Sequence, residues 1–178
     1  MLNIILIAIA AIVVLFIIVE AMRPNVFCVT RSAGIAAPPE KFFPHVNDLH
    51  KWEAWSPWAK MDPSCKNSYE GSPAGISAIF TWAGNKKVGE GRMTITENRP
   101  GELIRIKLEF FKPFKATNTA EFTFKPEGNQ TVVTWGMLGK NNFMGKAFGL
   151  IMNCDKMVGG DFEKGLTAMK SVVETAQS

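Results

Sequence analysis

Histidine is scarce: the chain of 178 residues has two, His45 and His50. Five residues apart, they fall about 140° from each other around a helix, unlike the i, i+4 pairs that hold a metal. Cysteine is scarce too. Cys28, Cys65 and Cys154 are odd in number, widely spaced and without a C-x-x-C. That argues against a disulfide framework and a zinc site, and fits a reducing compartment. There is no G-x-S-x-G and no G-x-x-x-x-G-K-[ST], so neither the nucleophile elbow of a hydrolase nor a P-loop is present. Single-sign charge is also missing. The net charge of +4 comes from lysines and arginines scattered among acids, which reads as a mixed solvated surface. The aromatics fall on apolar faces rather than among basic residues, as a nucleic-acid stacking groove would need. No metal, cofactor or nucleic-acid partner is expected.

What the chain does have is a long apolar start. Ile4 to Val19 is unbroken, and Asn3 is the single polar residue from Met1 to Val19. That matches the length a bilayer's hydrocarbon core requires. Asn3 would lie near the interface, and Arg23 could snorkel at the other end. Residues 1–22 are therefore expected to be a transmembrane anchor. The alternative is a signal segment ending at Val19-Glu20-Ala21, but a positive n-region is lacking and the apolar run exceeds a usual h-region. Arg23 and Arg31 come after the segment, so the positive-inside rule places the domain in the cytoplasm, with a periplasmic or extracellular domain as the alternative. Charged residues make up 20% of the chain, so the remainder reads as one ordinary globular domain over residues 25–176.

Phe27, Val29 and Arg31 alternate with Cys28, Thr30 and Ser32, a first strand. Pro38-Pro39-Glu40 then opens a short amphipathic helix, Pro39 to His50, with Phe42, Phe43, Val46 and Leu49 at helical spacing. Trp52, Trp55 and Trp58 come next, interrupted by Pro57, and the stretch to Gly75 reads as irregular. Five strands succeed it, over 76–83, 88–98, 102–111, 115–125 and 131–138, with turns at Gly84-Asn85 and Gly128-Asn129. Along 102–111 the alternation is strict: Ile104, Ile106, Leu108 and Phe110 face one way and Arg105, Lys107 and Glu109 the other. Val158, Phe162, Leu166, Met169 and Val173 recur every three or four residues, a long helix from about Asp155 to Ala176. A shorter one is expected over Phe143 to Met152. This is an α+β domain: an antiparallel sheet wrapped around a long C-terminal helix.

Several segments resemble a known family. They are Ile35-Ala36-Ala37-Pro38-Pro39-Glu40, Asn47 to Trp52, Trp55-Ser56-Pro57-Trp58, Asp62-Pro63, Tyr69-Glu70-Gly71, Gly89 to Ile95, Lys112-Pro113-Phe114, Thr131 to Trp135 and Asp161 to Leu166. Over residues 25–174 the chain resembles the START-like, or SRPBCC, superfamily, in its polyketide cyclase/dehydrase-type bacterial branch. The resemblance implies the helix-grip fold and a hydrophobic ligand. It does not fix an activity, because the superfamily's members differ in function, and no cyclase motif matches any position here.

Glu90 is the one acid/base candidate. Glycines flank it within an expected strand, where a bulge or close backbone approach is implied. Facing a cavity it would gain a raised pKa; facing outward it is a surface carboxylate. The aromatics carry more weight. An apolar cavity under a closing helix is the default small-molecule site. Trp55, Trp58, Phe80, Trp82, Phe110, Phe122, Trp135 and Phe162 are expected to line it, with Met93 and Met152 as adaptable fillers. The alternative for each is plain core packing. The expected function is membrane-anchored binding of a hydrophobic small molecule or lipid. The alternatives are a cyclase/dehydratase-like enzyme in the same cavity, or a non-catalytic interaction protein whose interior is filled.

Overall fold

The computed structural model describes residues 2–22, 25–140 and 154–175. The short helix expected over Phe143 to Met152, and Met152 with it, lies outside them. Helix α1 (Leu2–Met22) precedes β1 (Val26–Ile35), α2 (Pro39–Asn47) and a 3₁₀ turn over Leu49–Ala54. Six strands come after: β2 (Lys66–Gly71), β3 (Ala78–Ala83), β4 (Glu90–Arg99), β5 (Leu103–Lys112), β6 (Ala116–Glu127) and β7 (Gln130–Lys140). Helix α3 (Cys154–Thr175) ends the described chain. The strands form one antiparallel sheet in the order β1-β7-β6-β5-β4-β3-β2. This is the helix-grip arrangement, with β1 added at the edge of a meander.

The stretch before Gly75 is not all irregular, because β2 pairs with β3 from Lys66–Ala83 to Gly71–Ala78. Every residue of β2 is exposed, so it lacks the apolar alternation that marks a half-buried strand. The expected helix to His50 ends earlier, at Asn47. Asp48 adopts an extended backbone and its carboxylate accepts the His50 N–H, starting the 3₁₀ turn. Pro44 lies inside α2 without ending it.

The tryptophans explain how α2 can end in the interior. A helix leaves its last four carbonyls without intrahelical partners. Here Pro44 O accepts from Asp48 N at 3.2 Å and Asn47 O from Gly75 N at 2.9 Å. His45 O accepts from Trp55 Nε1 and Val46 O from Trp52 Nε1, both at 3.0 Å. The Trp-rich segment thus closes a helix end while burying its rings.

The same corner creates a pH response. Burial, aided by the Lys51 charge, holds His45 below its ordinary pKa, and its buried Nδ1 has no hydrogen-bond partner among the described residues. Below about pH 6.5 an unfolded histidine takes up a proton that the folded one resists. The unfolded chain then binds more protons, so stability falls as pH falls from there until the folded pKa is passed. Thermal unfolding monitored between about pH 7 and 5 should show this decline, and His45→Gln should flatten it.

Helix α3 buries Phe162, Leu166, Met169 and Val173 on one stripe and packs chiefly along β1. Its approach is fixed by charge and by space. Arg31, on the inner face opposite Trp135, donates Nη1 and Nη2 to the Asp155 carboxylate at 3.1 and 3.0 Å, and Nε to Glu163 at 2.7 Å. The guanidinium holds the Asp155 carboxyl below the usual range. Farther along the helix, Gly165 lets it press onto Trp135; a methyl there would lie 2.7 Å from the ring.

The described side chains of α1 are exposed. Those at 2, 8, 13, 20 and 21 lie outside the described set, and among the described residues no helix is long and apolar enough to cross a membrane.

Candidate functional site

The inner face of the sheet divides into a filled part and a part left half-open. Cross-strand register sets the rows. Ile104, Phe122, Trp135 and Arg31 stand side by side on β5, β6, β7 and β1. Above this row the rings of the Trp-rich segment and α3 close in. Trp135 stacks on Phe162 at 4.1 Å and on Phe122 at 4.8 Å, and meets Trp55 edge-on at 5.5 Å and Trp58 at 5.7 Å. Trp52 lies 4.6 Å from Trp55. Trp55, Phe122, Trp135 and Phe162 are no more than 2% exposed, and their rings lie on one another. These four, expected to line a ligand cavity with plain core packing as the alternative, lie buried in the core.

Nearer the other end of the strands the covering by the described residues thins. Phe27, Gly139, Asn118, Leu108, Met93, Phe80 and Tyr69 form the next-but-one row. Beyond it stand Phe110, Gly91 and Trp82. Leu108, Phe80, Trp82 and Phe110 are only half-buried. Phe80 stacks along Trp82 at 6.0 Å, and Phe110 meets Trp82 edge-on at 5.9 Å. The Trp82 indole lies across Gly91, where any side chain would collide with it. Its N–H is spent on Val88 O at 3.1 Å, so the flat apolar face is what it presents. These residues make an aromatic shelf. Of the expected site residues it gathers Phe80, Trp82, Met93 and Phe110, while Trp58 is half-buried against Trp135 and Phe162 of the core.

One polar group is set into this surface. Asn118 is 8% exposed, beside Leu108 and Gly139. Among the described residues its amide N–H meets the Met137 thioether, at 3.8 Å. A thioether is a weak acceptor, so the amide keeps most of its donor capacity. Sequence reasoning missed Asn118, although the signal was present: it occupies an apolar phase in the alternation Asn118, Ala120, Phe122, Phe124. Tyr69 was missed with β2 itself. Burial raises its phenol pKa, and its ring stacks on His50 at 3.9 Å. At this edge Leu49, Tyr69, Ala78 and Ile79 border a cavity of about 130 Å³ between the 3₁₀ turn and β2. That volume is below the few hundred Å³ of a typical ligand pocket.

Glu90 does not face the shelf. A register shift separates it from Gly91, so the expected bulge is present, but on an interior strand. Its carboxylate accepts from Lys112 Nζ at 2.7 Å in an exposed ion pair. No general acid or base is thereby placed against the aromatic surface by this residue.

Solved structures share this architecture. Protein CV1439 from Chromobacterium violaceum is 15% identical, with 85% of this chain and 99% of that one covered at a TM-score of 0.59. The Aha1 dimer from Colwellia psychrerythraea is 14% identical, with 85% and 99% covered at 0.60. DynU16, a putative protein in the dynemicin biosynthetic locus, is 12% identical, with 86% and 49% covered at 0.58. At such identities the likeness is one of fold. No curated protein matches the chain. The family model described as polyketide cyclase / dehydrase and lipid transport matches residues 26–174. By that match, over nearly all of the chain beyond α1, this protein belongs to the polyketide cyclase / dehydrase and lipid transport family.

Proposed function

We propose that the chain is a membrane-tethered binding protein for a hydrophobic small molecule or lipid, which it holds on the aromatic shelf of β3, β4 and β5. The observation that carries this reading is the half-buried apolar surface of Phe80, Trp82, Leu108 and Phe110, set beside the buried amide of Asn118. An apolar surface with one or two placed polar groups suits a ligand with a long hydrocarbon body and a single carbonyl or hydroxyl. Desolvation supplies the affinity, roughly 25 cal/mol for each Å² of apolar area covered, before the cost of immobilisation. The family's description, which includes lipid transport, favours the same class of guest.

Among the described residues no helix qualifies as a membrane span. The tether is therefore proposed from the sequence, whose apolar stretch from Met1 to Val19 has about the length a bilayer's hydrocarbon core requires. Arg23 just beyond it favours a cytoplasmic domain. No observation favours the enzymatic reading over binding.

A photo-crosslinking acyl probe, mixed into nanodiscs carrying the full chain and mapped by mass spectrometry, tests the proposal. Adducts are expected on β3, β4 and β5. Adducts confined to α1 would show that the probe meets the protein in the bilayer alone, and the shelf would lose its assigned role.

A further inference from the structure

We propose that the end of the sheet nearest α1 rests on the surface of an anionic bilayer, with the β3–β4 and β5–β6 hairpin tips as its contacts. The inference rests on the membrane reading of α1 and adds where the domain sits and which lipid it meets.

Strand direction is the first argument. In an antiparallel sheet of this order, β1 begins at the same end where β7, β5 and β3 finish and where β2, β4 and β6 start. The turns at 84–89 and 113–115 therefore stand at that end. So does the tether, because β1 starts at Val26, four residues after Met22 closes α1. Four residues span at most about 14 Å. A helix anchored in lipid keeps the start of β1 near the headgroups, and when the strands stand upright on the bilayer the hairpin tips at this end face the same surface.

Charge is the second. Lys66, Lys86, Lys87, Lys115 and Lys140 are exposed on these strand ends and turns, beside Lys112, whose charge is matched by Glu90. The acids there are already engaged: Glu90 with Lys112, and buried Asp62 with the Ser64 hydroxyl and the Asn85 N–H. At the opposite end the charges balance in pairs, Arg99 with Glu102 and Lys125 with Glu127. Basic residues close to an anionic leaflet are attracted over a Debye length, about 8 Å at physiological salt. The tips enter that range when this end of the sheet faces the leaflet.

The third argument is aromatic. Phe111 and Phe114, at the β5–β6 tip, are 40% and 63% exposed. Exposed phenylalanine flanked by lysine suits the boundary between headgroups and acyl chains. The shelf row of Trp82, Gly91 and Phe110 lies next to these tips, so a lipophilic guest would pass from bilayer to shelf without crossing open water.

The test uses the full chain in nanodiscs of phosphatidylcholine, with or without phosphatidylglycerol. Lysines are acylated and read by mass spectrometry. Labelling of Lys86, Lys87 and Lys115 should drop severalfold in the anionic discs and recover at high salt, while Lys125 and Lys170 stay unchanged. Equal labelling of the two groups in anionic discs would overturn the inference. Alkaline extraction of vesicles carrying the chain separates its failure from that of the anchor. If the chain is extracted, the anchor falls and this inference with it. If it is retained while both groups of lysines label alike, the docking alone is wrong.

Discussion

Trp135→Ala is expected to cost about 3–5 kcal/mol of stability, enough to leave a marginal domain largely unfolded. The ring is 2% exposed and is shared by three parts of the molecule: the middle of the sheet through Phe122, α3 through Phe162, and the Trp-rich segment through Trp52, Trp55 and Trp58. Its removal leaves a hole whose walls are other rigid rings, and such a site collapses poorly. Trp135→Phe should lose far less. The buried Trp135 Nε1 has no hydrogen-bond partner among the described residues, so the replacement keeps a stacked ring and removes an unsatisfied donor. Urea unfolding of the detergent-solubilised chain, monitored by the remaining tryptophan fluorescence, measures both. Equal losses for the two variants would mean that ring stacking is not what holds this part of the core.

The double variant Trp82→Ala/Phe110→Ala should behave in the opposite way, with a modest effect on folding and a large one on ligand capture. Both residues are half-buried, so truncation opens a surface notch rather than a sealed void. If the guest lies across them, losing two aromatic faces removes about 2 kcal/mol of desolvation, or roughly thirtyfold in affinity. Acyl-probe crosslinking at β3 to β5, titrated against unlabelled fatty acid, reads the change. An unchanged titration would move the binding site off the shelf, even if crosslinking elsewhere persisted.

The contrast between these two variants also marks where sequence reasoning ran out. Alternation assigned Ile104, Ile106, Leu108 and Phe110 to one face and Arg105, Lys107 and Glu109 to the other, and the sheet keeps that division. Arg105 bonds Glu121 and Glu97 on the outer side. The helical stripe of α3 was equally legible, because Phe162, Leu166, Met169 and Val173 can meet a single surface only in a helix. Period-two patterning says which face a residue takes, but not how far along the strand the covering helix lies. Phe122 and Phe110 share a face and look alike in sequence. One lies beneath Trp52 and Trp55 and beside Trp135, the other beyond them. Coverage of that kind is set by long-range contacts such as Arg31 with Asp155 and Glu163, which no local pattern announces. β2 was lost for the complementary reason, having no buried face to betray it. Asn118 was within reach of the sequence, since a polar side chain in an apolar phase is the mark of a placed group.

The two indoles that close the end of α2 have an optical consequence. Trp52 and Trp55 lie 4.6 Å apart with their planes tilted by 47°, a geometry in which neighbouring chromophores share their excitation and split it into bands of opposite sign. Circular dichroism of the folded chain should carry such a couplet, and Trp52→Phe should reduce it to the part that comes from Trp135 with Trp55 and Trp58. The protein thus has its own gauge of whether that helix end is shut, readable without any dye or label.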